Sequence, residues 1–269
     1  MVIDFHTHIF PDKIAEKTIA HLSALGGISP FSDGTKAGLL SKMEEAGVDV
    51  AVTLPVITNP KQFESVNRYA KEINEEFSSE ARKLISFAGI HPLCEDIEGK
   101  MKKIKEDGFL GVKIHPDYQE TFINDSAYIK IGECAKEYDL ILITHAGVDV
   151  AYRGCPVRCA PNLALEFIRN VKHKKTVFAH LGGAEMADDV IKYLAGEDVY
   201  FDTAYVLRYT SCEIFKKILN IHGADKILFA SDSPWSDIKN DVEILKAFSL
   251  NEKDEKLIFS DNAMALLGI

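Results

Sequence analysis

The sequence predicts a (β/α)8 barrel, on three observations: eight short apolar runs, longer amphipathic stretches between them, and glycines where helices should end. The runs lie near residues 2–6, 49–54, 84–90, 110–115, 140–145, 176–180, 199–202 and 227–232. Most are continuously apolar, such as LILIT and ILFAS, as parallel strands covered on both faces require. The clearest helix opens after Asn59-Pro60 and carries Phe63, Val66, Ala70, Ile73 and Phe77 on one stripe. Residues 97–106, 125–138, 161–171, 184–195 and 210–221 read the same way. Gly47, Gly108, Gly196 and Gly223 each follow such a stretch and precede a strand, where a left-handed residue ends a helix. Strict β-then-α alternation implies right-handed parallel crossovers. Eight units favour a closed barrel over an open doubly wound sheet, and no Gly-rich phosphate loop follows any strand. The chain after Asp232 is expected to add two helices, at 237–248 and 252–267. No linker or second domain is visible, so one barrel domain is expected over residues 1–269.

The 269 residues suit one such barrel, and 46% hydrophobic residues supply its core. A net charge of -10 argues against nucleic acid or an anionic membrane surface as partner. No apolar run approaches the ~18 residues of a membrane span, and with a strand read from Val2 onward no secretory signal is expected. Five scattered cysteines do not make a disulfide framework. A reducing cytoplasm is the expected compartment, with the oligomeric state left open. Cys155 and Cys159 form a C-x3-C pair that could be a second metal or redox site, though no partner cysteines accompany it.

Chemistry is carried by where the histidines fall. Of nine, six end or immediately follow a predicted strand: His6, His8, His91, His115, His145 and His180. Random placement would put fewer than about one there, and that rim is where barrel enzymes build active sites. A buried strand has no folding reason to end repeatedly in His or Asp, so a metal site is expected. In residues 4–8 alternation places His6 and His8 on one face, where they can grip one ion. Imidazoles with a carboxylate suit zinc first, then manganese, iron, cobalt or nickel. The loop after His145 carries Asp149, Tyr152, Arg153 and Arg158. Arginines there point to an anionic small-molecule substrate, because guanidinium binds carboxylate bidentately. A glycosidase would instead need paired carboxylates on this rim. A non-catalytic metal-binding barrel would give Asp232 and His180 no reason to accompany the ligands.

The motifs DFHTH (4–8), GVKIHP (111–116), ITHAG (143–147), FAHLGG (178–183) and FASDSPW (229–235) appear in order at strand ends. Together they resemble the amidohydrolase superfamily over essentially the whole chain. They are most similar to the branch of hydrolases and decarboxylases related to aminocarboxymuconate-semialdehyde decarboxylase. The resemblance implies a TIM barrel and a metal held by His6, His8, His145 and Asp232. His180 is then a further ligand or an acid–base and substrate-polarising group. Lys113 has three readings: a carbamate bridging two metals, a cation for a substrate carboxylate, or a partner of Asp232 or Asp202. The surroundings of His180 and Asp232 resemble the one-metal branch, so one metal with unmodified Lys113 is expected. His115 and His91 are expected to touch substrate beside Arg153 and Arg158. The implied function is hydrolysis of a small carboxylate-bearing substrate through metal-activated water, with Asp232 shuttling the proton. Decarboxylation with the same parts is the alternative.

Overall fold

A computed structural model describes residues 1–79 and 83–269. Its strands are β1 (Ile3–Thr7), β2 (Val50–Thr53), β3 (Lys83–Ser86), β4 (Ala88–Gly89), β5 (Gly111–Ile114), β6 (Ile141–Thr144), β7 (Thr176–Phe178), β8 (Tyr200–Asp202) and β9 (Ile227–Leu228). All pairings are parallel, in the orders β1-β2-β3 and β4-β5-β6-β7-β8-β9. β3 and β4 are halves of one stave parted at Phe87, whose N–H still donates to Thr53 O at 3.0 Å. The other seam closes where Phe5 N donates to Phe229 O at 2.9 Å and Asp232 N to His6 O at 2.8 Å. Eight staves therefore form the expected barrel.

The helices that wrap it are α1 (Asp12–Gly26), α2 (Lys36–Ala46), α3 (Phe63–Glu76), α4 (Ile97–Glu106), α5 (Ser126–Glu137), α6 (Pro161–Val171), α7 (Ala187–Tyr193) and α8 (Cys212–His222), followed by α9 (Ile238–Ala247), α10 (Glu252–Lys256) and α11 (Asn262–Leu267). α3 to α9 match the periodic stretches to within a few residues. α3 starts from a capped turn in which Asn59 accepts from Lys61 N and Gln62 reaches back to the Asn59 amide. The four turn glycines all have positive φ, between 70° and 94°, as helix ends before short αβ turns require. The region after α9 is one bent helix, with a π-helical turn at Leu257–Asp261 joining α10 to α11. α1 and α2, between β1 and β2, were not anticipated.

Inside the barrel, Ile3, Phe5, Val52, Ile143 and Val177 pack with Ala263, Leu266 and Leu267 of α11. A second apolar layer joins strand residues such as Val112, Leu142 and Phe178 to the surrounding helices. Burial of both strand faces is the physical reason the runs are continuously apolar.

One buried group departs from this packing. Asp241 on α9 is 1% exposed, and its carboxylate oxygens make no well-formed hydrogen bond among the described residues, the Ser236 hydroxyl beside it being the nearest to one. Burial pushes its pKa up to about 7, with Ser236 opposing, Asp4 adding and Arg208 opposing again. A carboxyl whose folded pKa is raised binds its proton more tightly when folded. It therefore costs stability progressively as pH rises from about 4 to about 7, and fully above that. Asp241→Asn is expected to stabilise the fold by about 1–3 kcal/mol at pH 8 and much less at pH 5. Urea denaturation at the two pH values checks this; an equal shift at both would show that the charge is not the cause.

Candidate metal centre and active site

The strand ends converge at the C-terminal mouth of the barrel, above a cavity of about 770 Å3 whose lining includes His6, His8, Lys113, His145, His180 and Asp232. Register slips between Asp4 and Thr7 in β1, an irregularity of the kind that re-aims side chains beside active sites. His6 Nε2 and His8 Nε2 then lie 3.2 Å apart, and Asp232 Oδ1 lies 3.5 Å from the first and 3.1 Å from the second. These three residues form one cluster able to hold a metal ion. Asp232 and His180 both take left-handed backbone, at φ 72° and 60°. That conformation is costly for residues with a Cβ, and such strain concentrates at functional sites.

The far nitrogen of each imidazole shows what the near one does. His6 Nδ1 is 2.8 Å from Asp202 Oδ2, His8 Nδ1 is 2.7 Å from Leu54 O, and His180 Nδ1 is 2.8 Å from Ala204 O. A carboxylate or carbonyl oxygen accepts, so each Nδ1 carries the proton and each Nε2 is left as a bare lone pair. Two lone pairs and a carboxylate facing one another at 3.1–3.5 Å repel unless a cation sits between them. The donor set therefore fits a divalent metal, with the orienting hydrogen bonds that metal-binding histidines need. Burial, then the Lys113 ammonium, drives His6 well below the ordinary histidine range, which keeps it in the neutral, metal-binding form.

His145 falls outside the tight trio. Its Nδ1 is 3.0 Å from His180 Nε2, while its Nε2 faces Asp117 Oδ2 at 3.8 Å and Asp149 Oδ2 at 3.9 Å. Gly147 explains how this pair is brought together. At φ 84° its Cα lies so close to the loop after β7 that a Cβ would stand 2.1 Å from Ala184 N. The close approach lets Ala184 N donate to Ala146 O and Val148 N to Ala184 O, tying the end of β6 to the end of β7.

Lys113 is 1% exposed, with Nζ 3.2 Å from His6 Nε2. Among the described residues it forms no ion pair with Asp202 or Asp232. Burial lowers its pKa to about 8, against the pull of Asp202, Asp232 and Asp149. His115 lines the cavity, stacked on His145 with ring centroids 4.3 Å apart and Nε2 3.4 Å from Asp149 Oδ2. Burial pushes Asp149 up to about 6.

Other expected residues stand elsewhere. Arg153 is exposed, does not line the cavity, and pairs with Glu185 through both its terminal nitrogens. Arg158 also lies outside the lining, with Nη1 3.6 Å from Asp117 Oδ1. Their charges are committed to protein acids, so neither is placed to receive a substrate carboxylate. Arg153→Ala is expected to change KM for an anionic substrate by less than about twofold, because an exposed ion pair contributes little; a tenfold rise in KM would restore it to the site. His91 is buried below the rim, where Nδ1 accepts from Leu93 N at 3.1 Å. It closes a turn and does not line the cavity. Cys155 is exposed and Cys159 buried, and neither joins a metal-capable cluster among the described residues.

Asp117 was missed, and the contacts of Asp202 and Asp149 with the histidines were not anticipated. Asp202 orients His6 and also accepts from His180 N at 2.8 Å. Asp149 and Asp117 back His145. Asp202 ends its strand just as His145 follows its own, and that was the available signal. Trp235 and Tyr205 also line the cavity.

A closed parallel barrel with a histidine–aspartate cluster at its C-terminal mouth defines a metal-binding barrel enzyme. The chain belongs to the amidohydrolase family, whose model matches residues 3–269. No curated protein is similar enough in sequence to match. Among solved structures it resembles 2,6-dihydroxybenzoate decarboxylase from Rhizobium at 15% identity and a TM-score of 0.71, covering 99% of this chain and 98% of that one. It also resembles 5-carboxyvanillate decarboxylase from Novosphingobium aromaticivorans, with bound manganese, at 12% identity and a TM-score of 0.74, covering 100% and 97%. A putative amidohydrolase from Staphylococcus aureus aligns at 15% identity and a TM-score of 0.72, covering 100% and 99%. No helix among the described residues is long and apolar enough to cross a membrane.

Proposed function

We propose that the protein is a metal-dependent decarboxylase acting on a carboxylate-bearing organic substrate. The observation that carries it is the convergence of His6 Nε2, His8 Nε2 and Asp232 Oδ1 on one point of the cavity. The likeness to two decarboxylases over nearly the whole chain supports carbon–carbon cleavage over the hydrolysis expected from sequence. One divalent ion is proposed, zinc by donor type or manganese by likeness. When bound, it supplies Lewis-acid polarisation of the substrate carboxylate.

The chain's own residues do the rest. His6 and His8 fix the centre, held in their tautomers by Asp202 and the Leu54 carbonyl. Lys113, the buried cation of the barrel mouth, takes the place expected of the arginines in facing the negative substrate. As the bond to the carboxylate carbon breaks, its electron pair stays on the substrate carbon and carbon dioxide leaves. Asp232, ionised beside both ligand histidines, takes up a proton from solvent and passes it to that carbon. His180, its ring centroid 5.5 Å from that of His6, offers the lone pair of Nε2 beside the centre as a base or a further ligand. His115 and Asp149 form the opposite polar wall.

Hydrolysis is the second reading, since the same ligands could activate water. A panel of aromatic and unsaturated carboxylates, lactones and N-acyl acids separates the two with metal-loaded protein. Release of carbon dioxide from a carboxylate is the expected result. Turnover of lactones or amides alone, with no carbon dioxide, would overturn the lyase reading.

A further inference from the structure

The cavity continues well beyond the polar cluster, and its outer walls are α1, an addition to the β/α alternation between β1 and β2, and α3, the barrel helix between β2 and β3. Ile14, Lys17, Thr18, His21, Leu22 and Leu25 of α1 all line it. Their spacing of three, four, seven, eight and eleven residues is one complete helical stripe. Facing them, Ser65, Val66 and Tyr69 of α3, with Gln62 just before it, form a second stripe at the same period. A corridor therefore runs from His6, His8 and Asp232 outward between α1 and α3.

The apolar side chains of α1 are distributed in an unusual way. Only Ala15 and Ile19 are buried against the protein. Ile14 is 49% exposed and Leu25 45% exposed, and Leu22 is part-buried on the same cavity-facing stripe. Folding leaves about half of Ile14 and Leu25 uncovered, so packing does not account for all of this helix's apolar surface. Burial of a ligand would. At about 770 Å3 the cavity lies in the upper part of the range that encloses drug-sized ligands.

We propose that the corridor between α1 and α3 is a subsite for an elongated apolar body, alkyl or multi-ring, whose carboxylate end reaches the metal centre. This deepens the function proposed above and rests on that reading for the position of the reacting end. The substrate class is thereby an amphiphilic carboxylate longer than a single-ring acid. Leu22, Leu25 and Val66 grip its apolar part, and Lys17 and His21 lie nearest solvent on the same stripe.

Calorimetric titration of metal-loaded protein with butanoate, hexanoate, octanoate and decanoate tests it. Affinity is expected to rise about three- to tenfold for each two added carbons, because each buried methylene contributes a roughly constant increment. In the double variant Leu22→Gln, Val66→Gln that gain is expected to fall below about twofold. Thr18→Trp, at a part-buried position, narrows the corridor and should make affinity level off at a shorter chain. Thermal melts of both variants near the wild-type midpoint keep a folding defect from imitating the result. Affinity independent of chain length in the wild type overturns the proposal, as does a dependence that survives both variants. Flat affinities together with a dimer that Leu25→Gln abolishes would assign the face to a second copy of the chain and overturn it too. The titration needs no turnover. A chain-length effect, with no carbon dioxide released from the aromatic and unsaturated carboxylates of the turnover panel, would refute the decarboxylase reading and leave the subsite standing.

Discussion

Asp232→Asn is expected to lower kcat by about 100- to 10,000-fold, the range over which a positioned proton-transfer group acts. The geometry gives the reason. Asp232 is 8% exposed and places Oδ1 3.1 Å from His8 Nε2 and 3.5 Å from His6 Nε2. Its backbone is held at φ 72° and its amide is anchored on His6 O at 2.8 Å. The carboxyl cannot swing away, so any substrate bound against the two histidines meets it. Asparagine keeps the shape and one coordinating oxygen but cannot carry a proton. Metal content measured beside turnover separates loss of the ion from loss of the proton path. A variant that turns over an identified substrate at the wild-type rate, with metal in place, would remove Asp232 from the mechanism.

The barrel was legible because burial on both strand faces writes a continuous apolar run, and the histidines stood out because they end such runs. α1 escaped for a physical reason. Its apolar residues divide between Ala15 and Ile19, which face the protein, and Ile14, Leu22 and Leu25, which face the cavity. Two partial stripes do not read as one. α2 buries only Leu39 and Met43, too little to mark a helix. His91 and His115 share the local sequence Ile-His-Pro, yet only His115 lines the cavity. The difference lies in how far each stave reaches, which no local pattern contains. The arginines misled because partner choice is tertiary: Glu185 is 32 residues from Arg153, and Asp117 is 41 from Arg158. Asp202 and Asp149 were in view, one at a strand end and one in the loop after His145, but that they back His6 and His145 shows only in their contacts with the imidazoles.

His6→Ala is expected to abolish tight metal binding, taking the purified, metal-replete protein from at least about half an equivalent to below about one tenth, because it removes a direct ligand. His8→Ala should do the same. Asp202→Asn tests the deeper claim that the ligand is held in one tautomer. Asp202 Oδ2 accepts from His6 Nδ1 at 2.8 Å, and its other oxygen accepts from His180 N at 2.8 Å and Ala204 N at 3.1 Å. An amide can offer its oxygen to only one side of that arrangement. If its NH2 turns to His6, the imidazole must move its proton to Nε2, the nitrogen the metal needs. Metal affinity should then fall about 10- to 100-fold, as loss of such supporting partners does elsewhere. Competition with a chelator of known affinity reads this directly, without any substrate. Full metal retention in both histidine variants would sink the centre as described. Unchanged affinity in Asp202→Asn, with both histidine variants empty, would leave the ligands in place but show that the tautomer is set by something other than Asp202.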